Sequence, residues 1–438
     1  MKNGRTMWII ATCGLTLLFR GLLDFLYSTY VFRFFSGSMG GGAFLLCNPT
    51  PLRIFKSYAI TFFLTIWLAM HFYRRERPSS VALVMYFLMV ILPLLSLYSF
   101  SAAPAPFIYA VAGSFIVLML IIGWFPKLRI PYPDWSLLVL GIGFLAIVSF
   151  YVYAWLLLTG SVGRLNFDLR FVYDTRAEYI QTRWPLISYL LPWQAYVINM
   201  GIFCYALYRK RRWLIAISGF AQLLMFGMTG HRSYLLVLLL GAGIYMLWSK
   251  RNVLFYIIGG TSALILAAYG VFLISGDHSL PSLFIRRLFF VPAVTHLVYY
   301  DFFSQPHNAF VMLSNSIFKS FLHYPYGAIR ITRVISWAYW GKDFGPNVGY
   351  LGDAFAQFGF LGMFLFSIIL GVFLRIVDSV GEQLPDNLVA AIIVTPAAAL
   401  ANSALFTSLL THGLFLAGIL LWLPVSYTHL TLPTKRIV

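Results

Sequence analysis

Five arginines stand out by type and placement: Arg232 in TGHRSYLL, Arg286 and Arg287 in FIRRLFF, and Arg330 and Arg333 in AIRITRVI. Arginine is planar, permanently charged and forks onto phosphate oxygens, so such a set beside apolar sequence suits a diphosphate on a lipid. Fixed positive charge in a poorly solvated cleft would also stabilise a departing diphosphate. None of the five has an acidic residue close by in sequence. A second set, Arg164, Arg170, Arg176 and Arg183, is interleaved with Asp168, Asp174 and Glu178, and ion pairing accounts for part of it.

Acid or base candidates accompany them: Asp277, Asp301, Asp343, Asp353, His307 and His323. Activating a hydroxyl requires one carboxylate or neutral imidazole within reach of it. Asp353, in NVGYLGDAFAQFGFLG, falls near a predicted helix start, where the helix dipole favours its ionised form. That placement suits capping, anchoring or orienting a substrate better than proton abstraction. Asn347 precedes the same helix start. His307 and His323 lack a third partner at ligand spacing, and Cys13, Cys47 and Cys204 form no CxxC pair, so neither a metal nor another cofactor is expected.

The elements that must position these groups are membrane helices. The chain has 438 residues, 61% hydrophobic and 10% charged, far from the roughly 25% charge of soluble domains. Apolar runs long enough for a roughly 30 Å hydrocarbon core recur throughout, and lipid forces such runs to be helical. Twelve spans are expected, near 8–32, 54–72, 80–99, 105–125, 135–158, 186–208, 213–229, 234–248, 253–274, 351–374, 387–407 and 410–425. Fourteen basic residues, from Lys2 and Arg5 through Arg209–Arg212 to Arg375, then fall on one side. By the positive-inside rule that side, with the amino terminus, is cytoplasmic.

The net charge of +18 is therefore a topology signal, and no soluble basic face for nucleic acid is present. Two long connections, 159–185 and 275–350, face outward in this reading, the second lying along the membrane surface. Residues 1–424 form a single polytopic membrane domain. The string 425–438 (VSYTHLTLPTKRIV) resembles translated sequencing-adapter read-through and is set aside. Gly349, Gly352, Gly359 and Gly362 recur at helical spacing, as close helix packing requires.

The TGHRSYLL hairpin, the RRLFFVPAVTHLVYYDFF segment, the YPYG turn and the NVGYLGDAFAQFGFLG helix start, in that order, resemble the Wzy-type oligosaccharide repeat-unit polymerases of bacterial O-antigen and capsule assembly. The likeness covers roughly residues 226–374 and the plan of about a dozen helices with two arginine-bearing outer loops. It implies a metal-independent, GT-C-like membrane glycosyltransferase of the bacterial plasma (inner) membrane, working on undecaprenyl-diphosphate-linked glycans at the periplasmic or extracellular face. It also implies a possible chain-length regulator as partner. Carried over residue by residue, Arg232, Arg286 and Arg287 match the family's outer arginines, and Asn347, Gly349 and Asp353 its helix-start motif. His307, in PHNAF, stands where related ligases have an outer-loop histidine. Arg330, Arg333, Arg170 and Arg176 complete the expected substrate-binding set. The rival readings are an O-antigen ligase and, from another class, a flippase of lipid-linked oligosaccharide.

Overall fold

The computed structural model describes residues 2–37, 46–74, 77–131, 133–167, 184–250, 252–315 and 321–423. The protein is an all-α polytopic membrane protein. Among the described residues there is no β-strand, and eleven helices are long and apolar enough to cross a membrane. In chain order the helices are α1 (Thr6–Phe35), α2 (Pro51–Phe72), α3 (Ser80–Phe100), α4 (Ala105–Trp124), α5 (Trp135–Leu158), α6 (Ile187–Tyr208) and α7 (Arg212–Thr229). There follow the shorter apolar helix α8 (Arg232–Trp248), α9 (Val253–Ser275), α10 (Ser279–Ser304), α11 (Ile331–Trp340), α12 (Tyr350–Val380), the short α13 (Asp386–Ala401) and α14 (Leu405–Trp422).

The main departure from the sequence reading is α10. Where an outer connection running from 275 to 350 is expected, Ser279–Ser304 forms a long apolar helix. It buries Ile285, Phe289, Phe290, Val294, Leu297 and Val298. The pair Arg286–Arg287, with Pro292 and His296, interrupts its apolar run, so the sequence reading takes it for part of a surface connection. Pro292 lies in mid-helix directly after the π-helical stretch Ser282–Phe290, a local change of winding that accommodates its missing N–H.

The bundle has a basic end and an opposite end. At the basic end Arg77 donates to the Gly123 carbonyl (3.1 Å) and Arg375 to that of Phe125 (2.8 Å). There Asp378 accepts from both the N–H (2.9 Å) and the hydroxyl (2.8 Å) of Ser79, capping α3 from another helix. At the opposite end Tyr30 meets His278 (3.2 Å) and Asn48 N–H donates to Phe100 (2.9 Å).

Between the ends lies a charged pair inside the helices. Arg20 of α1 is fully buried, is ion-paired with Asp24, and donates to the Leu95 carbonyl (2.7 Å) and the Ser99 hydroxyl (3.0 Å). Tyr58 donates to the other oxygen of Asp24 (2.9 Å), so the network pins α1, α2 and α3 together. A charge at this depth persists only where it is paired.

The helix α12 is two helices. Phe358 (φ −143°) and Gly359 (φ +61°, ψ −147°) break it, and Gly359 holds a backbone conformation few other residues tolerate. The chain reverses there. Tyr350 and Ser367 would be about 25 Å apart along a continuous helix at 1.5 Å per residue, yet their hydroxyls lie 3.3 Å apart. The eight residues before the break thus run back alongside the rest of the helix. This puts Tyr350 and Asp353 inside the bundle.

Candidate functional site

The polar side chains of the interior are set by two interrupted segments that meet. A Cβ placed on Gly349, just before α12, would lie 2.5 Å from the Ala401 carbonyl oxygen, 2.7 Å from that of Leu400 and 2.7 Å from His296. Only glycine lets these backbones approach so closely. His296 is fully buried, its Nδ1 on the Pro292 carbonyl (2.7 Å) and its Nε2 3.2 Å from the Tyr86 hydroxyl. Tyr86 packs on Tyr350, ring centroids 4.7 Å apart. Beyond the crossing the chain leaves α13 through Asn402 and Ser403, and Gly413 (φ +80°) interrupts α14 just after His412.

This crossing borders a cavity of about 740 Å³. One wall is apolar: Leu236, Leu240, Gly243 and Leu247 along α8, Leu264 of α9 and Met89 of α3 contribute to it. Polar groups come from Tyr196, Ser233, Asn347, Thr395, Asn402, Ser403 and His412. Among the described lining residues there is no Asp, Glu, Lys or Arg. Tyr196 and Ser233 hydroxyls are hydrogen-bonded to each other (2.9 Å), and His412 packs on the Tyr196 ring at 5.9 Å. A long apolar groove with neutral hydrogen-bonding groups suits an amphiphile whose polar part is hydroxylated.

A second cavity, of about 860 Å³, lies between the 304–312 segment and the reversal in α12. Gln305, Asn308, Met312, His323 and Phe360 are among its lining residues. Nearby, burial and then the neighbouring Tyr324 push the Tyr326 hydroxyl up to about 12, so it stays a donor, here to the Ala309 carbonyl (2.7 Å). Asp277, in the turn between α9 and α10, is held below the usual carboxylate range by the N–H and hydroxyl of Ser279.

The expected site residues are distributed unevenly over this frame. Asn347 lines the first cavity. Arg232 opens α8 and is the chain neighbour of lining Ser233; exposed Arg287 is the chain neighbour of lining Leu288. Arg286 instead lies over the Phe35 ring (4.4 Å) and donates to Ser282 (3.1 Å). Arg330 is exposed at the start of α11. Arg333, expected to lack an acidic partner, has one: Asp343 at 3.0 Å, on the surface. Arg170 and Arg176 lie outside the described residues.

Asp353 is 8% exposed and accepts from Gln357 (3.1 Å). Gln357 in turn accepts from the Leu313 N–H (2.7 Å), while the Val311 N–H takes up the Ala356 carbonyl left open by the break (2.9 Å). Asp353 is thus an anchor for the loop that closes off the half-helix; it does not cap α12, whose N-cap is Gly349. His307 is exposed and, like Asp353, is not among the described residues lining either cavity. The sequence reading missed Thr395, Asn402, Ser403 and His412. The last three are signalled by the polar interruption NSALFTSLLTH within the last apolar runs; Thr395 stands alone in an apolar stretch and has no such signal. Comparison of the chain with protein families, with curated proteins and with solved structures finds no match.

Proposed function

We propose that the protein is a membrane glycosyltransferase that polymerises undecaprenyl-diphosphate-linked oligosaccharide repeat units at the outer face of a bacterial inner membrane. The observation that carries this reading is the cavity with an apolar wall along α8 and uncharged hydrogen-bonding groups at Asn347, Asn402, Ser403 and His412. The polyisoprenoid chain of one substrate lies along that wall. Arg232 and Arg287, next in sequence to lining residues, are the cations for its diphosphate. The basic end of the bundle faces the cytoplasm under the positive-inside rule, which puts these two arginines toward the other face. The acceptor hydroxyl attacks the anomeric carbon, the bond to the diphosphate breaks, and the diphosphate leaves with the electron pair.

A polyprenyl diphosphate carrying a diazirine in its chain tests the placement. Photolabelling is expected within 236–247; labelling confined to the lipid-facing side of α5 would refute it. The flippase remains the second reading, because interrupted helices meeting inside a bundle also build transporter sites. New glycosidic bonds in a purified system separate the two.

A further inference from the structure

The second cavity lies at the end of the bundle away from the basic loops. From the reversal at Gly359 to Asp378, which caps Ser79 at the basic end, α12 measures about 28 Å at 1.5 Å per residue. That is close to one hydrocarbon thickness of roughly 30 Å, so the cavity sits at the opposite membrane surface.

It is a braced groove. The Asn308 side-chain amide donates to the Phe302 carbonyl (2.8 Å), the Tyr326 hydroxyl to that of Ala309 (2.7 Å), and the Val311 N–H to that of Ala356 (2.9 Å). Met312 (φ +48°) and Leu313 (φ +63°) both hold left-handed backbone conformations, which non-glycine residues keep only where the surroundings enforce them. Here the Leu313 N–H on the side-chain carbonyl of Gln357 (2.7 Å) does so. Met312 is left 57% exposed at the groove.

The lining is accessible and of two kinds. Phe303 and Phe310 stack with their ring centroids 6.1 Å apart, and Phe355 and Phe360 meet at 5.2 Å; Phe310 is half-buried and Phe360 is 39% exposed. Beside these rings stand exposed Gln305 and His323 and half-buried Asn308. Among the described lining residues there is no Asp, Glu, Lys or Arg.

That combination selects its ligand. A phosphate, carboxylate or ammonium group finds no counter-charge among these residues, and a lipid chain would leave the amides facing hydrocarbon. A sugar matches both halves: its C–H face covers an aromatic ring while its hydroxyls meet neutral donors and acceptors. At about 860 Å³ the groove has room for a short oligosaccharide. We infer that this groove is a saccharide-binding site, holding a glycan at the membrane surface apart from the cavity that takes the polyprenyl chain. That this glycan is the lipid-linked polymer rests on the glycosyltransferase reading; the sugar site does not.

The test uses full-length protein in nanodiscs and, as probe, the repeat-unit oligosaccharide cleaved from its lipid diphosphate. Hydroxyl-radical oxidation of Met312 and carbethoxylation of His323, read by mass spectrometry, report occupancy. The oligosaccharide is expected to protect both residues, and undecaprenyl diphosphate alone is expected to protect neither. Gln305→Ala should raise the oligosaccharide concentration needed about three- to tenfold, and Phe360→Ala about tenfold. Phe321→Ala, which removes an 86% exposed ring outside the described lining, should leave it unchanged.

No protection at millimolar oligosaccharide would overturn the assignment, as would equal protection by undecaprenyl diphosphate or equal weakening by Phe321→Ala. Elongation measured in parallel keeps the two claims apart. Protection without polymer leaves the sugar site standing and the polymerase reading failed; polymer without protection does the reverse. Unfolding midpoints check the variants, and exposed Gln305 supplies one whose fold does not depend on the replaced side chain.

Discussion

Replacing Gly349 with alanine puts a methyl group where two chain segments cross. The added carbon would stand 2.5 Å and 2.7 Å from two backbone oxygens, Ala401 and Leu400, and 2.7 Å from the ring of His296. The ring can tilt only by straining its bonds to Pro292 and Tyr86, and the carbonyls belong to the last turn of α13. Overpacking in a filled core costs roughly 1–3 kcal/mol, and backbone atoms leave least room to relax, so Gly349→Ala belongs at about 3 kcal/mol. At about 1.4 kcal/mol per decade this is roughly a 100-fold loss in the folded-to-unfolded ratio.

Gly270→Ala is the control: it sits inside α9, and a Cβ there meets nothing within 4 Å. It should be neutral or gain up to about 1 kcal/mol from helix propensity. Steric-trap unfolding in bicelles measures both. A Gly349→Ala protein as stable as wild type, or a Gly270→Ala protein that is the weaker of the pair, would refute the crossing of the two segments.

Three further outcomes follow from the packing. Gly243 lines the cavity and has open space where a side chain would begin, so Gly243→Phe should fold normally yet cut polyprenyl photolabelling and elongation at least tenfold. Asp378→Ala removes the partner of Arg375 from a pair whose side chains are 3% and 2% exposed; leaving that charge buried should cost about 3–5 kcal/mol, read as an unfolding midpoint. Arg333→Ala breaks a half-exposed pair with Asp343 and should change stability by less than about 1 kcal/mol. A larger loss in elongation than in stability would show that Arg333 also serves the substrate.

The spans were legible because lipid imposes length and apolarity, and the basic loops were legible because they cluster at one end. What could not be read was where helices stop inside the membrane. Reversal at Phe358 and Gly359 is invisible to hydropathy, since both residues suit a span. Asp353 does sit in the first turn of its helix, as expected, but the reversal carries that helix start into the interior, where Gln357 holds the carboxylate. The helix α10 was concealed by its own arginines and His296. Arg20 and Asp24 look like interruptions in an apolar run and prove to be partners of each other. The cavity groups were missed for a related reason: single Thr, Asn and His residues near a carboxyl-terminal span look like tolerated polarity. Only their convergence on one cavity reveals otherwise.

Synthesis is the claim on which the account stands. Purified protein in liposomes, given the matched undecaprenyl-diphosphate-linked repeat unit, is expected to produce a gel ladder of glycans lengthening by whole repeats, reduced at least tenfold in Gly243→Phe. Transfer of the lipid-linked repeat across the bilayer with no new glycosidic bond would contradict it.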